Sequence, residues 1–269
     1  MVRPTLISVP RELAQGGKSF LYLSSAYGRR RLACAVCGRE IAPGEPFVCD
    51  RYDTVVCSRH HFEFCKVCER IILGQPSSIR HLGSACALCA SERSKADLEK
   101  AVNTIYGFFK EKRIFIPRYS VDLIKASAMN EKYAREFGFM PMGAAVEKYT
   151  GTEVIPPGET RYHIDLMSQQ SPTSLAKTLA HEVLHLWQYH RDIKAPVPYA
   201  EGFCNLGAYQ VLASTFSTTE AMVLLKNLME DPDPSYGVAF RELKVMHDVH
   251  GWISVIAAMR SFSASGRSS

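Results

Sequence analysis

His181-Glu182-Val183-Leu184-His185 is the stretch on which the reading of this chain turns, with Glu201 following sixteen residues after His185. Two histidines four positions apart share one face of a helix, so both imidazoles can reach one ion. The glutamate between them stands at the flank, where it can take a proton from water rather than bind the metal. Glu201, on a following helix, would complete a three-ligand catalytic site with His181 and His185 as the other metal ligands. A five-residue pattern has an appreciable chance background, and here its context adds weight. A strand-like segment precedes it, and a proline-containing connection leads to Glu201. The chemistry indicated is zinc-assisted hydrolysis of a peptide bond, with Glu182 as general base. An oxyanion donor is also required. Tyr236, His247 and His250 are candidates, with Tyr199 behind them; His247 and His250 are three apart on one predicted helix. Asp248 or a backbone carbonyl is a candidate to orient a ligand imidazole.

Around the motif, periodicity gives a coarse map. A helix is predicted from Ser94, with Leu98, Val102, Ile105 and Phe109 on its apolar stripe. Short strands are expected at 115–116, 121–124, 144–150 and 153–155, and a helix at 128–136. The alternating segment 161–167 reads as a strand, and its part from Ile164 to Met167 as an exposed edge able to pair with a peptide. Ser171-Pro172-Thr173 opens the helix of the motif, which is expected to end near Arg191. Further helices are predicted at 199–214, 219–229 and 236–261.

Upstream, eight of nine cysteines lie between Cys34 and Cys89, which is no disulfide framework spread through a secreted domain. Their order is Cys34-x2-Cys37, Cys57-x2-His60, Cys65-x2-Cys68 and Cys86-x2-Cys89. Paired thiolates at this spacing suit closed tetrahedral zinc sites. Sequential pairing gives Cys34, Cys37, Cys57 and His60 for one site, and Cys65, Cys68, Cys86 and Cys89 for the other. His61 competes with His60, and Cys49 is left over. The cofactor expectation is therefore three zinc ions, one catalytic and two structural. The chain divides into a lead or linker at 1–32, the cysteine module at 33–90, the hydrolytic domain at 91–262 and a flexible tail at 263–269.

Composition narrows the classes further. An apolar fraction of 46% suits a protein with a real core. A net charge of +5 is modest, and Glu40, Glu45, Asp50, Asp53, Glu63 and Glu69 dilute any basic face on the cysteine module, so no nucleic-acid partner is expected. No apolar run approaches about 18 residues, and the start lacks a signal-peptide pattern. A cytoplasmic location without membrane insertion is expected.

Taken together, His181 to Trp187 and Glu201-Gly202-Phe203-Cys204-Asn205 resemble the peptidase domain of the LIM-domain, ubiquitin-activated peptidases that regulate plant organ and seed size. Ser235-Tyr236-Gly237-Val238-Ala239-Phe240-Arg241 is similar to that family's late Tyr-Gly…Phe-Arg segment, and the cysteine module looks like a divergent LIM domain. The resemblance covers about residues 33 to 260. It implies an α+β, zincin-like metallopeptidase domain with a small antiparallel sheet, preceded by a LIM-like double zinc-knuckle domain. It also implies zinc on His181, His185 and Glu201, Glu182 as the base, and protein or peptide substrates. The chain departs from the pattern in two ways. Cys57-x2-His60 stands where a LIM domain usually has His-x2-Cys, with four residues rather than two before Cys65. No acidic helix precedes the module, so ubiquitin activation is not expected. The compact form suits a microbial relative. The module would recruit a protein partner or regulate the domain, and the competing reading is an inactive interaction scaffold.

Overall fold

A computed structural model describes residues 20–23, 31–42, 44–149 and 153–264. Most of the expected lead, and residues 265–269 of the expected tail, lie outside the described residues; the tail's first two residues, Ser263 and Ala264, instead end the last helix. The fold is mixed α+β with small sheets, in two compact units, Met1–Glu92 and Arg93–Ser269. Among the described residues no helix is long and apolar enough to cross a membrane.

The first unit is built from two similar halves. In each, a CxxC turn folds back on itself through the same pair of backbone bonds. Gly38 N–H reaches the Cys34 carbonyl at 2.8 Å and Cys34 N–H the Arg39 carbonyl at 2.9 Å. Thirty-one residues on, Glu69 N–H reaches the Cys65 carbonyl at 2.8 Å and Cys65 N–H the Arg70 carbonyl at 2.8 Å. Gly38 and Glu69 take the same left-handed conformation, with φ of 71° and 60°. After each turn comes a hairpin. Strands β2 (Pro46–Cys49) and β3 (Val55–Cys57) pair in the first half, with β1 (Phe20–Leu23) added on the far side of β2. Strands β4 (Ser77–Ile79) and β5 (Gly83–Ala85) pair in the second, followed by the single turn α1 (Ala87–Ala90). Asp50 staples the halves. One carboxylate oxygen accepts from Tyr52 and Thr54 N–H in its own hairpin loop, and the other accepts from Ile71 N–H at 2.7 Å. Among the described residues the apolar cluster of this unit is small, centred on Phe47, Val56 and Ile71.

The second unit carries the larger core. Its first helix, α2 (Lys95–Glu111), opens on a capping box between Ser94 and Asp97 and buries Leu98, Ile105 and Phe109. Strand β6 (Tyr119–Ile124) leads to α3 (Ala126–Phe137), then β7 (Gly143–Glu147) and β8 (Tyr162–Met167). The segment 115–116, expected as a strand, and 153–155 are irregular. Strand order is β6-β8-β7. β8 runs parallel to β6, with Tyr119 opposite Tyr162, and antiparallel to β7, with Gly143 opposite Leu166. The sheet is therefore mixed, not antiparallel throughout. β8 is also its centre rather than an edge, and all six of its residues are buried. The edge beside the motif helix is β7.

The motif lies on α4 (Pro172–His190). Ser171 caps it by accepting from Ser174 N–H at 3.0 Å, and Pro172 occupies the first turn. Leu175, Leu179, Val183, Leu186 and Trp187 are buried, so the helix is apolar on most sides. Behind it lie α5 (Val197–Thr215), which carries Glu201, and α6 (Thr219–Glu230). A π-helical turn at Pro234–Val238 then runs into α7 (Ala239–Ala264), which kinks at Gly251. Arg241 ties this turn down by donating to the Asp231 carbonyl at 2.6 Å.

Candidate metal centres and cleft

Helix geometry alone brings His181 and His185 together, and the packing of α5 against α4 brings Glu201 to both. The two Nε2 atoms are 3.1 Å apart; Glu201 Oε2 lies 3.2 Å from His181 Nε2 and 3.6 Å from His185 Nε2. Ligands about 2.0–2.1 Å from a tetrahedral zinc stand about 3.3–3.4 Å from one another, so this triangle fits the ion. The hydrogen bonds on the outer sides of the rings support the same reading. His181 Nδ1 meets Asn205 Oδ1 at 3.0 Å, and His185 Nδ1 meets Gln188 Oε1 at 3.0 Å. Each amide is itself oriented by its NH2 group, Asn205 on the Tyr236 carbonyl at 2.9 Å and Gln188 on the Ala200 carbonyl at 3.0 Å. Amide oxygens can only accept, so both Nδ1 atoms carry the proton and both Nε2 lone pairs face the centre. Burial raises the Glu201 pKa, but its bonds to His181 and His185 outweigh this and hold the carboxyl well below its usual range.

Cys204 Sγ also lies within 4.8 Å of imidazole nitrogens of this pair. It is a poorer ligand candidate than Glu201. Its thiol addresses Gln188 Oε1 at 3.9 Å, the oxygen that already receives His185 Nδ1, whereas Glu201 Oε2 faces both Nε2 atoms.

Glu182 is buried beside these groups on the wall of a cavity of about 370 Å³. Gly143, Ala144 and Ala145 of β7 form another part of that wall, with Phe137, Phe139, Met142, Lys177, Tyr189 and Tyr236. Gly143 is there for space. A Cβ at this position would stand 2.6 Å from Thr178 Cγ2 and 2.9 Å from Glu182 Cγ. Tyr236 lines the cavity, and burial followed by the Glu201 charge raises its pKa, so the phenol keeps its proton.

His247 and His250 are not brought to this cavity. His247 meets Gln210 Nε2 at 3.1 Å and packs edge-on to Trp252, while His250 is exposed. Tyr199 is bound to Glu242 and does not line the cavity, and Asp248 pairs with Lys244 and His247 rather than with His181 or His185. The orienting groups are Asn205, four residues after Glu201, and Gln188, three after His185. The helical spacing that pairs the histidines could have found both.

The cysteine groups could each hold a metal ion, and their donors suit zinc. Cys34, Cys37, Cys57 and His60 converge, as do the four buried thiols Cys65, Cys68, Cys86 and Cys89. Cys68 Sγ and Cys86 Sγ are 3.8 Å apart, close to the separation that Zn–S bonds of about 2.3 Å require in a tetrahedron. His60 Nε2 is buried with no hydrogen-bond partner, as a ligand atom would be. All nine cysteines are free, and Cys49 is a buried core thiol outside both groups. A further cluster, Asp122, His163 and Asp165, was not foreseen. Its central carboxylate is already engaged, by His163 Nε2 at 2.9 Å, Tyr133 OH at 2.5 Å and Lys132. This network reads as internal support for the sheet.

Comparison with family models, with curated proteins and with solved structures finds no match to this chain.

Proposed function

We propose that the chain is a zinc-dependent peptidase, with a zincin-like catalytic domain in the second unit and a LIM-like two-zinc domain in the first. The observation that carries this is the convergence of His181, His185 and Glu201 with Glu182 on the wall of the same cavity. A zinc ion held by the three ligands would supply Lewis-acid activation of water and of the scissile carbonyl. Glu182 takes the proton of the attacking water and passes it to the leaving amine. The Tyr236 phenol is the donor in the cavity suited to the developing oxyanion. The outer edge of β7, unpaired among the described residues, offers backbone groups to an extended substrate. Gly143 keeps that edge close to Glu182. The two thiolate sites have four protein ligands each and no open position, so they serve recruitment of a partner or regulation rather than catalysis.

Digestion of a proteome-derived peptide library tests this. The zinc-loaded protein should cleave, and Glu182→Gln should lose activity by about 100-fold or more while keeping its metal. Equal cleavage by both proteins would sink the mechanism. Absence of cleavage, with about two zinc ions per chain and none on the His181 helix, would favour the scaffold reading.

A further inference from the structure

The cleft holds a positive charge that the peptide-hydrolysis chemistry does not use. Lys177 stands one helical turn before His181 on α4, half-buried in the cavity wall. Among the described residues it is the one lysine or arginine lining this cavity, and it makes no hydrogen bond or ion pair with them. Lysines ordinarily carry the ammonium out to water or pair it when buried. Here burial pushes the pKa below the usual lysine value, against the opposing pull of Asp231 and Glu182. The neighbouring walls are apolar, with Phe137, Phe139 and Met142. Glu182 and Glu201 have other tasks in the cleft. Asp231 and Glu182 act on this ammonium without forming an ion pair with it, and an entering chain can bring a carboxylate that does.

The reach of that contact follows from helix and strand geometry. One turn separates Lys177 from His181, the nearer helix ligand, by about 5–6 Å along the axis, and an extended peptide advances about 3.4 Å per residue. We infer that Lys177 selects substrates bearing a carboxylate, an acidic side chain or a free C-terminus, within two residues of the scissile bond. This rests on the peptidase reading.

The test is a peptide series of one core sequence with Glu, Gln or Lys at each of the two positions on either side of the cleaved bond. Each peptide is made with a free or an amidated C-terminus and is offered to the zinc-loaded full chain. The wild type should favour a carboxylate over its amide by about tenfold or more in kcat/KM, a size suited to a partly desolvated ion pair. Loss of the preference on C-terminal amidation names the terminus as its source, and persistence names the side chain. Lys177→Gln should bring the ratio near one, and Lys177→Glu should turn it toward the Lys peptides. Equal rates for Glu and Gln peptides in the wild type, together with equal rates for the free and amidated termini, would overturn the inference. So would a ratio unchanged in both variants, because a lysine that only offset the Glu182 charge would lower all rates together. If the wild type cleaves none of the peptides, the peptidase reading falls and takes this inference with it.

Discussion

Glu69 occupies a left-handed backbone position, φ 60°, that its counterpart Gly38 fills without strain. Glu69→Gly should therefore stabilise the zinc-loaded first unit by about 0.5–1 kcal/mol, read as a raised midpoint in denaturant. On the catalytic side, the amides behind the imidazoles set the affinity. Asn205→Ala or Gln188→Ala should weaken zinc at the histidine site by about 10–100-fold, while thiolate-bound zinc is retained. Competition with a calibrated chelator resolves the two classes. Gly143→Ala should keep all its zinc yet lose most activity, since the added methyl meets Thr178 and displaces Glu182; unaltered kinetics would show that the base tolerates the shift. His181, His185 and Glu182 were legible because helical spacing alone sets their geometry. His247 and His250 share such a spacing, but spacing says nothing of which way a helix face turns in the fold. His247 turned toward Gln210 and Trp252 instead.

At the level of elements, the helices and the strands of the second unit's sheet were readable, and the pairing and burial of that sheet were not. Ser94, Ser171 and Thr218 cap α2, α4 and α6 close to where the sequence starts them. For β8, the alternation of Tyr162, His163, Ile164 and Asp165 looks half-polar, which suggests an exposed strand. Burial came from elsewhere: α3 supplies Tyr133 and Lys132 to Asp165, and Ser120 of β6 meets His163 Nδ1 at 2.8 Å, so the polar face is covered and paired. Local pattern cannot report a partner that arrives from another element. The pairing has a pH consequence. Burial raises the Asp165 pKa, but the bonds from Lys132, Tyr133 and His163 outweigh it and the net shift is downward. A carboxyl with a depressed folded pKa contributes stability that is complete above the ordinary value of about 4 and is lost as pH falls through the folded one. The stability gap between wild type and Asp165→Asn should thus be widest near neutrality and shrink below about pH 4. A gap that is constant across thermal melts from pH 7 to 3 would refute this assignment.

Across the whole molecule, the two units depend on metal to different degrees. Among the described residues the apolar cluster around Phe47, Val56 and Ile71 is small, whereas the second unit buries Phe109, Leu166, Trp187, Phe203 and Phe240 in one core. Chelation under reducing conditions should release hydrogen-exchange protection through 34–90 while β8 and α4 stay protected. Simultaneous loss in both would show that the second unit needs metal to fold. The amide brackets on His181 and His185 add a practical consequence. Because Asn205 and Gln188 hold the rings from behind, the cup should keep its shape when its ion is removed. Its ion should then be exchangeable on its own, so that cobalt can replace zinc there as a coloured reporter while the thiolate pairs keep theirs.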